Sequence, residues 1–176
     1  MSQAIEERVR DHQEVIDRLD EIPGVNQRVG EVIVAEIGTD MNRVPTEAHL
    51  VSWAGLCPSN NESAGKRKSS RVRQGNRWLK STVVEAAQAA VHTKDTYLSA
   101  LYHRLVPRRG HKRAILAVAR TMVGISYHMI QRGTRYTDLG ADYFEKRNLL
   151  QVLDRLVKRI HKLGYEVSLT PTTQVA

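Results

Sequence analysis

At 176 residues and 41% hydrophobic content the chain can bury one real core, which fits a single domain with an appended arm. Its one cysteine, Cys57, excludes an internal disulfide and points to a reducing cytoplasm. No apolar run reaches the roughly 20 residues of a membrane helix, and the acidic N-terminus is unlike a signal peptide, so a cytoplasmic protein with no membrane contact is expected.

The net charge of +8 is unevenly spread. Residues 1–62 carry 5 basic and 12 acidic side chains, residues 63–137 carry 16 and 2, and residues 138–176 carry 6 and 5. An acidic arm therefore precedes a concentrated cationic body, for which nucleic acid is the commonest partner.

Ile5, Val9, His12, Ile16 and Leu19 recur at alternating steps of four and three, the pattern of a short coiled-coil seam. Helices of that length are marginal in water, so residues 1–21 read as a coiled-coil arm that needs a partner helix. The domain proper is expected over residues 22–170, with a disordered tail at 171–176. The turn Ile22-Pro23-Gly24-Val25-Asn26 leads into a helix that stops at Gly38 and resembles half of a helix-hairpin-helix, in which backbone N–H groups at a helix start bind phosphate. Asn26 stands where that motif usually has a second glycine; a plain helix–helix corner explains the turn equally well. Thr46, following Pro45, caps the next short helix, which ends near Ala54.

The stretch from Trp53 to Lys80 organises the chain. It runs from Gly55-Leu56-Cys57-Pro58 through a polar loop with four serines to Gly75-Asn76, and Lys66, Arg67, Lys68, Arg71, Arg73, Arg77 and Lys80 crowd its end. No acidic residue interrupts them between Glu62 and Glu85. So many like charges repel one another, and a polyanion would relieve them. Residues 59–74 hold one clearly apolar anchor, Val72, so a long irregular loop, poorly ordered by itself, is expected there.

Asn76 can cap a helix from Arg77 to about His92, where small residues between Ala86 and Val91 would admit a close neighbour. Further helices are expected from Asp95 to Leu105, ending before Pro107, from His111 to Arg132, and from Tyr143 to Leu163. Arg104, Arg108, Arg109, Lys112 and Arg113 form a second basic cluster. Tyr165 to Leu169 alternates like one short strand. The fold class read from this order is all-α, with irregular structure concentrated in residues 55–75.

The chemistry is narrow. The histidines and Cys57 lack zinc-ligand spacing, no phosphate-cradling glycine loop occurs, and Glu62, Glu85 and Asp95 are too few for a two-metal phosphoryl-transfer site. What remains is a serine in a basic loop, able to attack phosphorus where arginines hold the phosphodiester and offset the developing charge. Ser59, Ser63, Ser69 and Ser70 are equal candidates on chemistry alone, and most loop serines are turn or cap residues.

The runs IPGVNQRVGEVIVAEIG, GLCPSNNESAGKRKSSRVRQGNRWLKSTVVEAA, HKRAILAVARTMVGISYHMIQRGTRY and DLGADYF together resemble the C-terminal transposase domain of the IS one-ten family of insertion-sequence recombinases, over roughly residues 15–170. The resemblance implies an N-terminal RuvC-like DEDD nuclease domain holding Mg²⁺, joined through a coiled coil that the Ile5 to Leu19 seam would match. It further implies a serine five residues after the proline of GLxP, here Ser63, that joins covalently to a DNA 5′-phosphate. Lys66, Arg67, Lys68, Arg71, Arg73 and Arg77 would then position phosphates. Dimers or tetramers assembled on DNA and a structured guide RNA are implied as well. Two departures stand out: Ala64 intervenes between Ser63 and Gly65, and the acidic nuclease domain is missing from this sequence. The rival readings are a non-catalytic nucleic-acid-binding module and an oligomerisation unit built on the arm and the Leu149 to Leu163 helix.

Overall fold

The computed structural model describes residues 12–58, 61–63, 66–69 and 74–169. Ile5, Val9 and the expected tail at 171–176 lie outside the described residues. The chain divides into two compact units, one ending at Ala141 and the other starting at Asp142.

The first unit is helical, as its apolar periodicities predict. Helix α1 (Gln13–Asp20) has Glu14 in its first turn and Arg18 in its last, which complements the helix dipole. Its Ile16 and Leu19 are fully buried and belong to the unit's own core, packed with α2 (Gln27–Ile37). This end of the expected seam therefore faces inward. Gly30 of α2 lies where any Cβ would sit 3.0 Å from Ile16 Cγ2, so the two helices meet without an intervening side chain.

The Pro23-Gly24 turn between them is a corner. Gly24 has φ +82°, and a Cβ there would lie 2.3 Å from the Ala86 carbonyl oxygen and 2.6 Å from the Ala90 nitrogen. The small residues expected to admit a neighbouring helix thus receive this turn as well as α2. Asn26 caps α2, its side chain accepting from the Val29 N–H at 2.9 Å.

A 3-10 turn (Met41–Arg43) and α3 (Glu47–Trp53) follow, with Thr46 capping α3 as expected. Helix α4 (Arg77–Ala90) starts from Asn76, whose side-chain oxygen accepts from the Leu79 N–H at 2.9 Å. Helix α5 (Tyr97–Arg109) continues through Pro107, past the expected end at Leu105. Proline forfeits only its own N–H bond, and the helical bond from Gly110 N to Val106 O, at 2.9 Å, forms beyond it.

Helix α6 (His111–Arg132) is the axis of the unit and packs against α1, α3, α4 and α5. Ile115, Val118, Ala119, Met122, Val123 and Tyr127 are all nearly inaccessible, so burial wraps most of its circumference. At about 1.5 Å per residue it is about 33 Å long, and Gly133, at φ +65°, ends it in the left-handed conformation.

The basic stretch contains a short hairpin where an irregular loop was expected. Strand β1 (Asn61–Ser63) pairs antiparallel with β2 (Lys66–Ser69), setting Glu62 opposite Arg67 and Ser63 opposite Lys66, with a bulge between Asn61 and Glu62. Its residues show no apolar alternation, which is why periodicity could not reveal it.

In the second unit the single helix expected from Tyr143 to Leu163 is broken at Asn148 into α7 (Tyr143–Arg147) and α8 (Leu149–His161). Asn148, at φ −118° and ψ 25°, leaves the helical conformation. Residues 165–169 form no strand. Leu149, Leu156, Ile160 and Leu163 remain exposed. No helix among the described residues is long and apolar enough to cross a membrane.

The hairpin's attachment rests on Gly75. A Cβ there would lie 2.2 Å from Gly55 N and 2.3 Å from the Ala54 carbonyl carbon, both backbone atoms that cannot step aside. Gly75→Ala is expected to destabilise the fold by about 1–3 kcal/mol, the usual range for overpacking, measured as a lowered midpoint in chemical denaturation.

Candidate functional site

The sequence places the cationic stretch between α3 and α4, and the structure shows how its two ends are joined. The C-terminus of α3 and the N-terminus of α4 meet at the Gly75 contact, where Asn76 N donates to the Trp53 carbonyl at 3.2 Å. Asn76 also donates from its side-chain amide to the Glu36 carboxylate, tying the same point to α2. One residue thus caps α4, closes the stretch and anchors it to a third helix.

Within the stretch, Ser63 ends β1 opposite Lys66, and Lys66, Arg67 and Lys68 form the return strand. Arg77 is the first residue of α4 and is exposed. Ser69 ends β2 opposite Asn61. Arg71, Arg73, Ser59 and Ser70 lie outside the described residues.

Beside the hairpin's base runs a cleft of about 610 Å³, lined by Gln74, Arg77, Lys80, Ser81, Val84 and Leu116. Leu116 belongs to α6, one helical turn beyond Lys112 of the second basic cluster. Arg108, Arg109, Lys112 and Arg113 are exposed at the α5–α6 corner, where Gly110 links the helices. Among the described residues none of these four, nor Arg77, makes an ion pair. Without an acidic partner, their field is directed at solvent.

A second cavity, of about 640 Å³, opens between α5, α6 and residues 134–139. On its wall Glu47 lies against Gly124, where a Cβ would come within 2.5 Å of Glu47 Oε1. His128 Nε2 is 3.2 Å from Glu47 Oε2, while its buried Nδ1 has no hydrogen-bond partner. This pair joins residues 81 apart in sequence, and no local pattern could have indicated it. Asp138 organises the adjoining loop: it accepts from Tyr97 N at 2.9 Å, Gly140 N at 2.7 Å and the Tyr136 hydroxyl at 2.7 Å. No cluster of three or more His, Cys, Asp or Glu side chains forms among the described residues.

Both tryptophans of the chain, Trp53 and Trp78, sit at the base of the hairpin and are exposed. Each falls at a helix end, where an apolar residue reads as core, so local periodicity gives no sign of their exposure.

A helical body bearing a serine-containing hairpin, with exposed cations without ion pairs at Arg77 and at the α5–α6 corner, is the class of domain that fold and site define. The pattern of the Transposase IS116/IS110/IS902 family matches residues 16–103, half of the chain. The insertion element IS110 uncharacterized 43.6 kDa protein of Streptomyces coelicolor is 33% identical over 121 residues, which cover 67% of this chain and 29% of that protein. The chain belongs to this transposase family, as its motifs suggested, and the matched region spans less than a third of the relative's length.

Tyr136 offers a pH-dependent check on the loop beside the second cavity. Burial first, then the hydrogen bond to Asp138 and that carboxylate's charge, hold its phenol protonated well above the ordinary value of about 10. The folded state binds this proton more tightly than the unfolded chain does. Its stabilisation is fully present below the ordinary phenol range and is lost as pH rises through the raised folded value. Tyr136→Phe is expected to lower neutral stability by about 1 kcal/mol and to remove that alkaline loss, read from denaturant melts across the alkaline range.

Proposed function

We propose that this chain is the serine-bearing, DNA-binding part of a transposase, with Ser63 as the nucleophile. The observation that carries the reading is the hairpin register, which sets Ser63 directly opposite Lys66 at the start of a strand of consecutive cations, within a chain of this family.

The step is a transesterification. Ser63 Oγ attacks phosphorus of a DNA phosphodiester and the bond to the 3′ oxygen breaks. The serine is left linked to the 5′-phosphate, and the departing 3′ oxygen takes up a proton. One phosphate ester replaces another, so the linkage is conserved for later rejoining. Lys66, Arg67, Lys68, Arg71, Arg73 and Arg77 position the phosphates and offset the charge that builds on the phosphoryl oxygens. Mg²⁺ belongs to a separate DEDD nuclease domain in this reading. The described residues of this chain offer no carboxylate cluster to hold it. The working form is a homo-oligomer on DNA with a structured guide RNA, in the cytoplasm.

Replacing Ser63 separates chemistry from binding. In a protein that includes the nuclease domain, Ser63→Ala is expected to lower recombination on the order of 10⁴-fold or more, to abolish the covalent protein–DNA adduct and to leave DNA affinity intact. Retained adduct formation would exclude Ser63 as the nucleophile, and loss of recombination with no adduct in the unmutated protein would favour a binding module without chemistry.

The cationic surface makes a second prediction. The affinity of the chain for duplex DNA should fall with salt, with a slope of about 0.9 in log–log form for each phosphate neutralised. Arg77→Gln should reduce that slope by about 1, measured by fluorescence anisotropy over a salt series. Binding indifferent to salt would remove this surface from the reading.

A further inference from the structure

The family and the hairpin account for the serine and the cations, but not for the two tryptophans. Trp is highly buried on average, and this chain has only two. Yet Trp53 is 47% exposed and Trp78 59% exposed. Neither ring has a ring, cation–π or hydrogen-bond partner among the described residues. They stand on the two segments joined at the hairpin's base: Trp53 ends α3 and accepts from Asn76 N through its carbonyl, and Trp78 is the second residue of α4.

Their surroundings select the occupant. Arg77 stands next to Trp78, and the neighbouring cleft combines Arg77 and Lys80 with the apolar Val84 and Leu116. No acidic residue lies in sequence between Glu62 and Glu85, so a second copy of this cationic stretch would be repelled. The chemistry that satisfies exposed indole faces beside the unpaired Arg77 guanidinium is a polyanion that carries flat, uncharged rings. In an intact duplex those rings are already stacked on one another, and only unpaired bases can present a face to an indole.

We propose that Trp53 and Trp78 are stacking platforms for unpaired nucleobases of a DNA strand opened beside the hairpin. The inference rests on the nucleic-acid reading above and deepens it: the preferred substrate is a strand with unpaired bases flanking the attacked phosphate, not a continuous duplex. Sequence tolerance follows, because every base has a π-face.

The two tryptophans are their own probe, since all indole emission of the chain comes from them. Short oligothymidylate, a duplex of the same length and oligouridylate would each be titrated into the intact chain at low salt. Saturable quenching by oligothymidylate, with much weaker quenching by the duplex, is expected. Trp78→Ala should weaken oligothymidylate binding about 5- to 100-fold and change duplex binding by less than about twofold. Position 78 is exposed and alanine favours helix, so the variant should fold, with circular dichroism as the check. Trp53→Phe, which keeps an aromatic face, should retain most of the affinity and lose part of the signal.

Salt-dependent duplex binding with no quenching by oligothymidylate would overturn the stacking proposal and leave the cationic surface standing. Equal weakening of single strand and duplex in Trp78→Ala would do the same. Quenching by oligouridylate alone would overturn the assignment to DNA. A concentration-dependent emission shift without nucleic acid, and none on adding it, would give the surface to a second copy. Because Ser63 is untouched in all these variants, loss of stacking and loss of the serine chemistry are read in separate assays.

Discussion

The architecture of the functional region depends on a steric constraint at one glycine. Gly75 brings the chain within backbone contact of Ala54 and Gly55, and no other residue type fits there without moving one of those strands of backbone. Close approach lets Asn76 reach the Trp53 carbonyl, the Glu36 carboxylate and the N-terminus of α4 together. The long polar excursion from Cys57 to Gln74 is thereby closed at its base on a rigid helical body. Such a closure is what a catalytic or binding hairpin requires, since side chains on an untethered loop have no reproducible geometry.

The body that supplies this rigidity is organised by α6. It touches four other helices, and its buried residues lie on most sides of the helix, so α3 and α4 are fixed through it as well as through one another. Gly124 allows the Glu47 side chain to lie against the helix, and Tyr127 donates from its hydroxyl to the Val44 carbonyl at 3.1 Å. These contacts orient α3, whose far end carries Trp53. The path from the core to the hairpin is thus continuous: α6, then α3 and α4, then the Gly75 junction.

In the proposed function, charge and shape would act on different parts of a nucleic acid. The unpaired cations of Arg77 and the α5–α6 corner suit phosphates, which give affinity without reading sequence. The exposed indoles suit bases. In the proposed reading, their placement at the hairpin's base would separate the surface for the backbone from the one for an opened strand. On the proposed function, the serine register, the cationic return strand and the aromatic faces would serve one strand-joining site.

By itself the sequence determined the helices of the first unit, the caps at Thr46 and Asn76, the concentration of positive charge, and the family, whereas the cap at Asn26 came from the structure. Those features rest on local periodicity, on single-residue cap chemistry and on composition, all readable along one dimension. Tertiary structure alone decided that Ile16 and Leu19 face their own core and that α5 runs through Pro107. It also paired β1 with β2, joined Glu47 to His128, and brought the two tryptophans to one junction. Each of these depends on which surfaces meet across tens of residues, and a residue's neighbours along the chain carry no record of that. The hairpin shows the division most clearly: composition marked Ser63 to Lys68 as polar and basic, but only cross-strand pairing could set Ser63 opposite Lys66.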